Sequence, residues 1–158
     1  MAAEDLTQAR RGGQVDYILI TNRDHEREAA ALQKEFHCQV WVPAVDAPQM
    51  TVKPDKTYRD GELLAGGIWA VQLSDQKAPG ESALFIQQGK GILIVGDALI
   101  GKPPGAVAML SPEKYTDAAK AKEGLKRLLK YNFDTLLVGD GTSILTGAKP
   151  VVEKFLHA

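Results

Sequence analysis

The order in which short strand-like runs and amphipathic helical stretches follow one another constrains this chain most. Residues 15–20 crowd β-branched and aromatic side chains into one run, the composition of a buried strand. A helix is expected directly after it, over about residues 24–36, where Ala29, Leu32 and Phe36 recur at helical spacing and line up one apolar face. Residues 39–42 read as the next strand, and the turn-rich stretch 43–60 as a long loop or edge region. Shorter runs follow at 63–64, 68–73, 82–86 and 92–95, separated by Gly66-Gly67, Pro79-Gly80 and Gly89-Lys90-Gly91, a pattern that predicts hairpins. A further helix is expected over about 116–131, with Ala118, Ala121, Leu125, Leu128 and Leu129 on one side. Lys120, Lys122, Lys126 and Lys130 fall largely on the other side and read as its solvated face. Residues 135–138 are another strand, and Pro150 near the start of a segment with Val152, Phe155 and Leu156 fits a closing helix. Residues 5–11, stopped by Gly12 and Gly13, form a short opening helix.

Strand, helix, strand, then a meander, then helix, strand, helix is a sequence of elements that buries its apolar faces when helices cover a mixed sheet, so a layered α/β domain is expected. At 158 residues with 44% hydrophobic content, the chain has material for one sizeable core, and a single domain over 1–158 is the starting expectation. Nineteen basic against 20 acidic side chains give a formal charge of -1. That balance argues against nucleic acid and membrane surfaces as partners, since both call for a broad basic face. Cys38 stands alone and has no internal disulfide partner; beside Phe36 and Val40 it reads as a buried small apolar residue. Residues 1–13 carry charges throughout and no apolar run, so they read as neither signal peptide nor membrane anchor, and a soluble cytoplasmic protein is expected.

Three strand-like runs end in potential metal ligands. Residues 18–20 lead into Thr21-Asn22-Arg23-Asp24-His25, 92–95 into Gly96-Asp97, and 135–138 into Gly139-Asp140-Gly141. Strand ends with glycine turns aim side chains into one cleft, and a metal needs ligands from distant segments to converge in that way. Each residue also has a plainer role open to it. Asp24 suits the N-cap of the following helix with His25 in its first turn, Asp97 and Asp140 suit glycine-containing bends, and His37 and His157 suit a helix end and a tail. Gly96-Asp97-Ala98-Leu99-Ile100-Gly101-Lys102 has the spacing of a phosphate loop, but Pro103 stands where Ser or Thr would bind Mg²⁺. Pro103-Pro104 also cannot open the helix whose amides cradle phosphates, which excludes that reading.

In motif order and placement the chain resembles the metallo-β-lactamase superfamily. That family's first motif, Thr-His-x-His-x-Asp-His, is matched in its Asp-His half by Thr21-Asn22-Arg23-Asp24-His25, which is two residues shorter. Its Thr-Pro-Gly-His-x-Pro-Gly-Ser-x-Ala-Leu stretch is followed by Ser74-Asp75-Gln76-Lys77-Ala78-Pro79-Gly80-Glu81-Ser82-Ala83-Leu84, with Lys77 at the histidine position. Its Gly-Asp-x-Leu motif is matched by Gly96-Asp97-Ala98-Leu99, and Asp140 stands where the last histidine motif, Pro-Gly-His-Gly, has its ligand.

The resemblance implies an αββα sandwich-like fold with a mixed sheet, its N-terminal strands missing or shortened, because only residues 1–20 precede the first motif. A sheet edge left uncovered there favours self-association into a homodimer. The resemblance also implies a hydrolase-like site whose dinuclear centre is depleted, with Asn22 an altered ligand position and Lys77 a metal-replacing cation that neutralises the carboxylates around it. The function that follows is binding of a small molecule or protein partner with no cofactor. The alternative is a hydrolase of an ester, thioester or phosphoester that holds one divalent ion (Zn, Mn or Fe) on Asp24, His25, Asp97 and Asp140. A second alternative is a structural subunit completed by oligomerisation.

Overall fold

A computed structural model describes residues 3–158. α1 (Ala3–Arg11) leads into β1 (Tyr17–Leu19), which lies parallel to β2 (Gln39–Pro43), and β2 lies parallel to β3 (Lys56–Tyr58). Parallel neighbours need a crossover, and α2 (Ala29–Phe36) supplies it between β1 and β2. A second sheet of five strands is a meander, β4 (Leu63–Leu64), β5 (Ile68–Gln72), β6 (Ser82–Ile86) and β7 (Ile92–Val95), closed by β8 (Thr135–Val138) parallel to β7. α3 (Ala118–Leu125) lies on the connection between β7 and β8, and α4 (Ala148–His157) follows β8.

The period-two alternation of the strands sorts side chains into three layers of core. Val40 and Val42 of β2 pack with Ile20, Ala29 and Val52 on the α2 side, while Trp41 between them faces the other sheet with Tyr58, Leu64, Ala70 and Leu84. Val71, Ala83, Phe85, Leu93, Val95 and Leu136 turn outward from the five-stranded sheet onto Leu125, Leu128, Val152 and Leu156. Helix, sheet, sheet and helix are therefore stacked in the αββα order that the resemblance implies, within the layered α/β class that the run of elements predicts. Cys38 is buried, as its apolar neighbours indicate. Among the described residues, no helix is long and apolar enough to cross a membrane.

The stretch read as a long loop or edge region holds an edge strand, β3. Two local expectations are corrected. The helix expected from residue 24 starts only at Ala29, after a 3₁₀ turn over Arg23–His25 that is capped by Asn22 and not by Asp24. The helix expected over 116–131 stops at Leu125 and continues as a 3₁₀ segment, Lys126–Lys130. Three residues per 3₁₀ turn keep Leu125 and Leu128 on the same buried side, so the tighter winding retains the apolar stripe. His37 does end α2, in the left-handed conformation with φ 53°.

Candidate functional site

The C-terminal ends of β1, β7 and β8 and the loop between β5 and β6 meet at one end of the sandwich. A main-chain bond ties the two sheets there, Ser82 N–H donating to Thr21 O at 2.9 Å, and within the first sheet the buried Tyr58 hydroxyl donates to Ile20 O at 2.6 Å. Gly96 lets β7 approach β1 closely, since a Cβ there would lie 2.4 Å from Thr21 Oγ1 and 3.0 Å from the His25 ring. Close approach of this kind is what aims His25 at the side chain of the next residue, Asp97.

Lys77 occupies the middle of the arrangement. Its Nζ lies 3.0 Å from Asp24 Oδ2 and 3.0 Å from Asp97 Oδ2, while His25 Nε2 lies 3.1 Å from Asp97 Oδ1. A carboxylate only accepts hydrogen bonds, so Nε2 carries the proton, and Nδ1 faces the Thr21 hydroxyl at 3.3 Å. The hydrogen bond from His25, with the Lys77 ammonium beside it, holds the Asp97 carboxyl down at about 2. The same bonds raise His25 and Lys77 above their ordinary values, since each cation is stabilised by the charge it touches.

Beneath this charged layer lie two fully buried carboxyl groups that the sequence reading did not single out. Glu81 accepts from Ala98 N–H at 3.2 Å and from the Asn22 side-chain amide, whose oxygen in turn accepts from Asp24 N–H at 2.8 Å. A relay from Ala98 through Glu81 and Asn22 to Asp24 thus sets the backbone under both carboxylates that flank Lys77. Burial pushes the Glu81 carboxyl up to about 7. Asp46 accepts from Arg23 N–H and Gly80 N–H, both at 2.9 Å, and so joins the loop after β1 to the loop before β6. The signal for Glu81 was in the sequence: a carboxyl stands at the serine position of the second motif while Asn22 stands at a histidine position of the first, a matched pair of changes. Asp46 had no such signal, because its donors are backbone groups.

Asp140 makes a separate pair. Lys102 Nζ is 2.8 Å from its Oδ2, and both side chains are 56% exposed. Among the described residues, no three His, Cys, Asp or Glu side chains are grouped as the donors of a metal ion would be. Below His25 a groove of 270 Å³ runs between the edges of the two sheets, walled by Leu19, Ile20, Ile94, Leu137 and Gly139.

A sequence profile of the metallo-β-lactamase superfamily matches residues 1–157. The chain belongs to this superfamily. Solved structures of metallo-β-lactamase-fold proteins agree in fold. A metallo-β-lactamase from Pontibacter korlensis superposes with a TM-score of 0.75 at 15% identity, covering 98% of this chain and 74% of that one. The TTHA1623 protein in a di-iron-bound form gives 0.72 at 21% identity, over 98% and 85%. A metallo-β-lactamase of Cronobacter sakazakii with a HARLDQ motif gives 0.58 at 17% identity, over 78% of this chain and 58% of that one. No curated protein matches the sequence.

Asp46→Ala is expected to cost about 2 kcal/mol, because it leaves the buried Gly80 N–H and the part-buried Arg23 N–H without their acceptor. The urea midpoint at neutral pH reads this loss. A midpoint equal to that of the unaltered protein would show that the tie between the loops contributes nothing.

Proposed function

We propose that this metallo-β-lactamase-fold chain works without a dinuclear metal centre and uses the hollow around Lys77 to bind a ligand. The observation that carries the reading is the Lys77 ammonium at 3.0 Å from both Asp24 and Asp97. A cation already stands between the two carboxylates, so their charge is balanced without an ion. The donor set supports the same reading: His25 is the one imidazole at the site, and Asn22 and Lys77 stand where the motifs of the family carry histidines. These residues do not fit a histidine-rich pair of ions.

An ammonium replaces the charge of a metal but not its Lewis acidity, since it has no open coordination position at which to lower the pKa of a water. It does have three N–H donors. Two are used on Asp24 and Asp97, which leaves the third for an acceptor such as a carbonyl or carboxylate oxygen on a small molecule. Asp97, held ionised by His25 and Lys77, keeps that ammonium fixed in direction.

Elemental analysis of the purified protein, before and after exposure to Zn²⁺, Mn²⁺ and Fe²⁺, tests the proposal. The expected result is substoichiometric metal in every sample. One equivalent of a transition metal that disappears in Asp97→Ala would overturn it and would support a single-ion hydrolase on Asp24, His25 and Asp97 instead.

A further inference from the structure

On the outer side of β5 and β6, two clefts of 610 Å³ and 440 Å³ share a wall made by Lys130 and Tyr131. The smaller cleft is aromatic: Trp69, 38% exposed, and Phe85 line it with Tyr131, and the Phe85 and Tyr131 rings lie 5.1 Å apart. The larger cleft is cationic, with Lys126, Arg127 and Lys130 along it. Two of its charges are already matched, Arg127 by Asp60 at 2.8 Å and Lys126 by Glu123 at 2.6 Å. Lys130 and, in the smaller cleft, Lys90 have no carboxylate partner among the described residues. A solvated lysine face explains exposed lysines, but it does not explain a concave aromatic floor in a cleft that two unmatched ones also line.

The mount of these groups is stiff. Lys90 sits in the turn Gly89-Lys90-Gly91, and Gly91 O accepts from both Asp134 N–H at 3.0 Å and Thr135 N–H at 3.2 Å. Gly91 has φ +86°, and a Cβ there would lie 2.0 Å from Asn132 O, so only glycine lets this turn press against the segment that follows Lys130 and Tyr131. Lys90 in its turn, and Lys130 and Tyr131 at the end of the 3₁₀ segment, are therefore carried by segments locked to one another.

We propose that this double cleft is a ligand site separate from the Lys77 hollow, and that it takes a phosphate monoester joined to a flat heteroaromatic ring, as in a nucleoside monophosphate. The ring stacks on the exposed aromatic face, and the dianionic phosphate is held by Lys90 and Lys130, which act as point charges and supply N–H donors.

Titration of the full chain with adenosine monophosphate, adenosine and inorganic phosphate tests this, read by calorimetry and by the Trp69 indole N–H resonance, assigned with Trp69→Phe. Adenosine monophosphate is expected to bind saturably and move the Trp69 resonance. Adenosine alone and phosphate alone are each expected to bind about tenfold or more weakly, because each lacks half of the contacts. Lys90→Gln with Lys130→Gln is expected to weaken the nucleotide about tenfold or more, and Lys77→Gln to leave its affinity unchanged. Absence of a saturable Trp69 shift, indifference to the double lysine change, or phosphate binding as tightly as the nucleotide would each overturn the proposal.

Discussion

Between about pH 5 and about pH 8 the folded protein is expected to lose roughly 3 kcal/mol of stability, mostly through one buried carboxyl group. Burial raises Glu81 to about 7 in the fold from an ordinary value of 4.5, and each unit of such a difference is worth about 1.4 kcal/mol. A carboxyl raised on folding binds its proton more tightly in the native state. Its contribution is therefore complete below the unfolded value and is lost as pH rises through the folded one. His25 acts in the same direction, since its value is also raised by the fold, so its contribution is present below about 6.5 and fades above it. Asp97 acts oppositely and elsewhere: lowered to about 2, it stabilises above 3.8 and loses that contribution as pH falls towards 2. Because Asp97 is partly open to solvent, about 1 kcal/mol is the size to expect there. Urea unfolding across this pH range should show a maximum on the acid side of neutrality, with a long decline towards alkaline pH. Glu81→Gln removes the larger of the two titrating contributions, so its profile should decline much less than the parent's, with only the His25 part left, and its overall stability should be lower, since a Gln amide cannot accept from both Asn22 and Ala98. A variant that keeps the slope of the parent would show that some other group carries it.

Gly101→Ala is the substitution with the largest steric penalty near the site. Gly101 and Gly141 form an isolated parallel bridge, with Gly101 N–H donating to Asp140 O at 2.9 Å and Thr142 N–H to Gly101 O at 2.8 Å. A Cβ on residue 101 would lie 2.0 Å from Thr142 O and 2.7 Å from the Thr142 carbonyl carbon and amide nitrogen. Backbone atoms cannot swing aside as a flexible side chain does, so the two loops must separate, at a cost of about 3 kcal/mol. For a chain of this length that corresponds to a melting temperature about 6–12 °C lower. The Lys102 to Asp140 pair would part with them, while the cluster of Lys77, Asp24, His25 and Asp97 would remain. A melting temperature unchanged in Gly101→Ala would mean that the two loops have room to relax.

Much of this arrangement could be read before any coordinates. Gly96-Asp97 and Asp24-His25 follow their strands, and period-two and helical spacings located all but one of the strands and each of the helices. The placement of Lys77 against Asp97 also follows from the motif order. The helix expected to run on to residue 131 failed where Leu125 and Leu128 allow either an α or a 3₁₀ winding, a choice made by packing against the sheet and not by propensity. β3 was hidden because Lys56-Thr57-Tyr58 is short and polar, and its pairing with β2 is a tertiary fact. Asp46 was invisible for a related reason. A buried carboxylate that serves backbone amides from two remote loops has no sequence spacing of its own. Asp140 illustrates the converse: its place after a strand was legible, but its choice of Lys102 as partner depended on how the loop after residue 97 folds back.

The seam formed by Thr21 with Ser82 and by Asp46 with the loops after β1 and before β6 sews the two sheets together where the charged hollow lies. A molecule seated there touches stitches belonging to both halves of the sandwich. Occupancy and resistance to prying apart are thus linked, so slowed amide exchange at Arg23, Gly80 and Ser82 would report any compound held in the hollow.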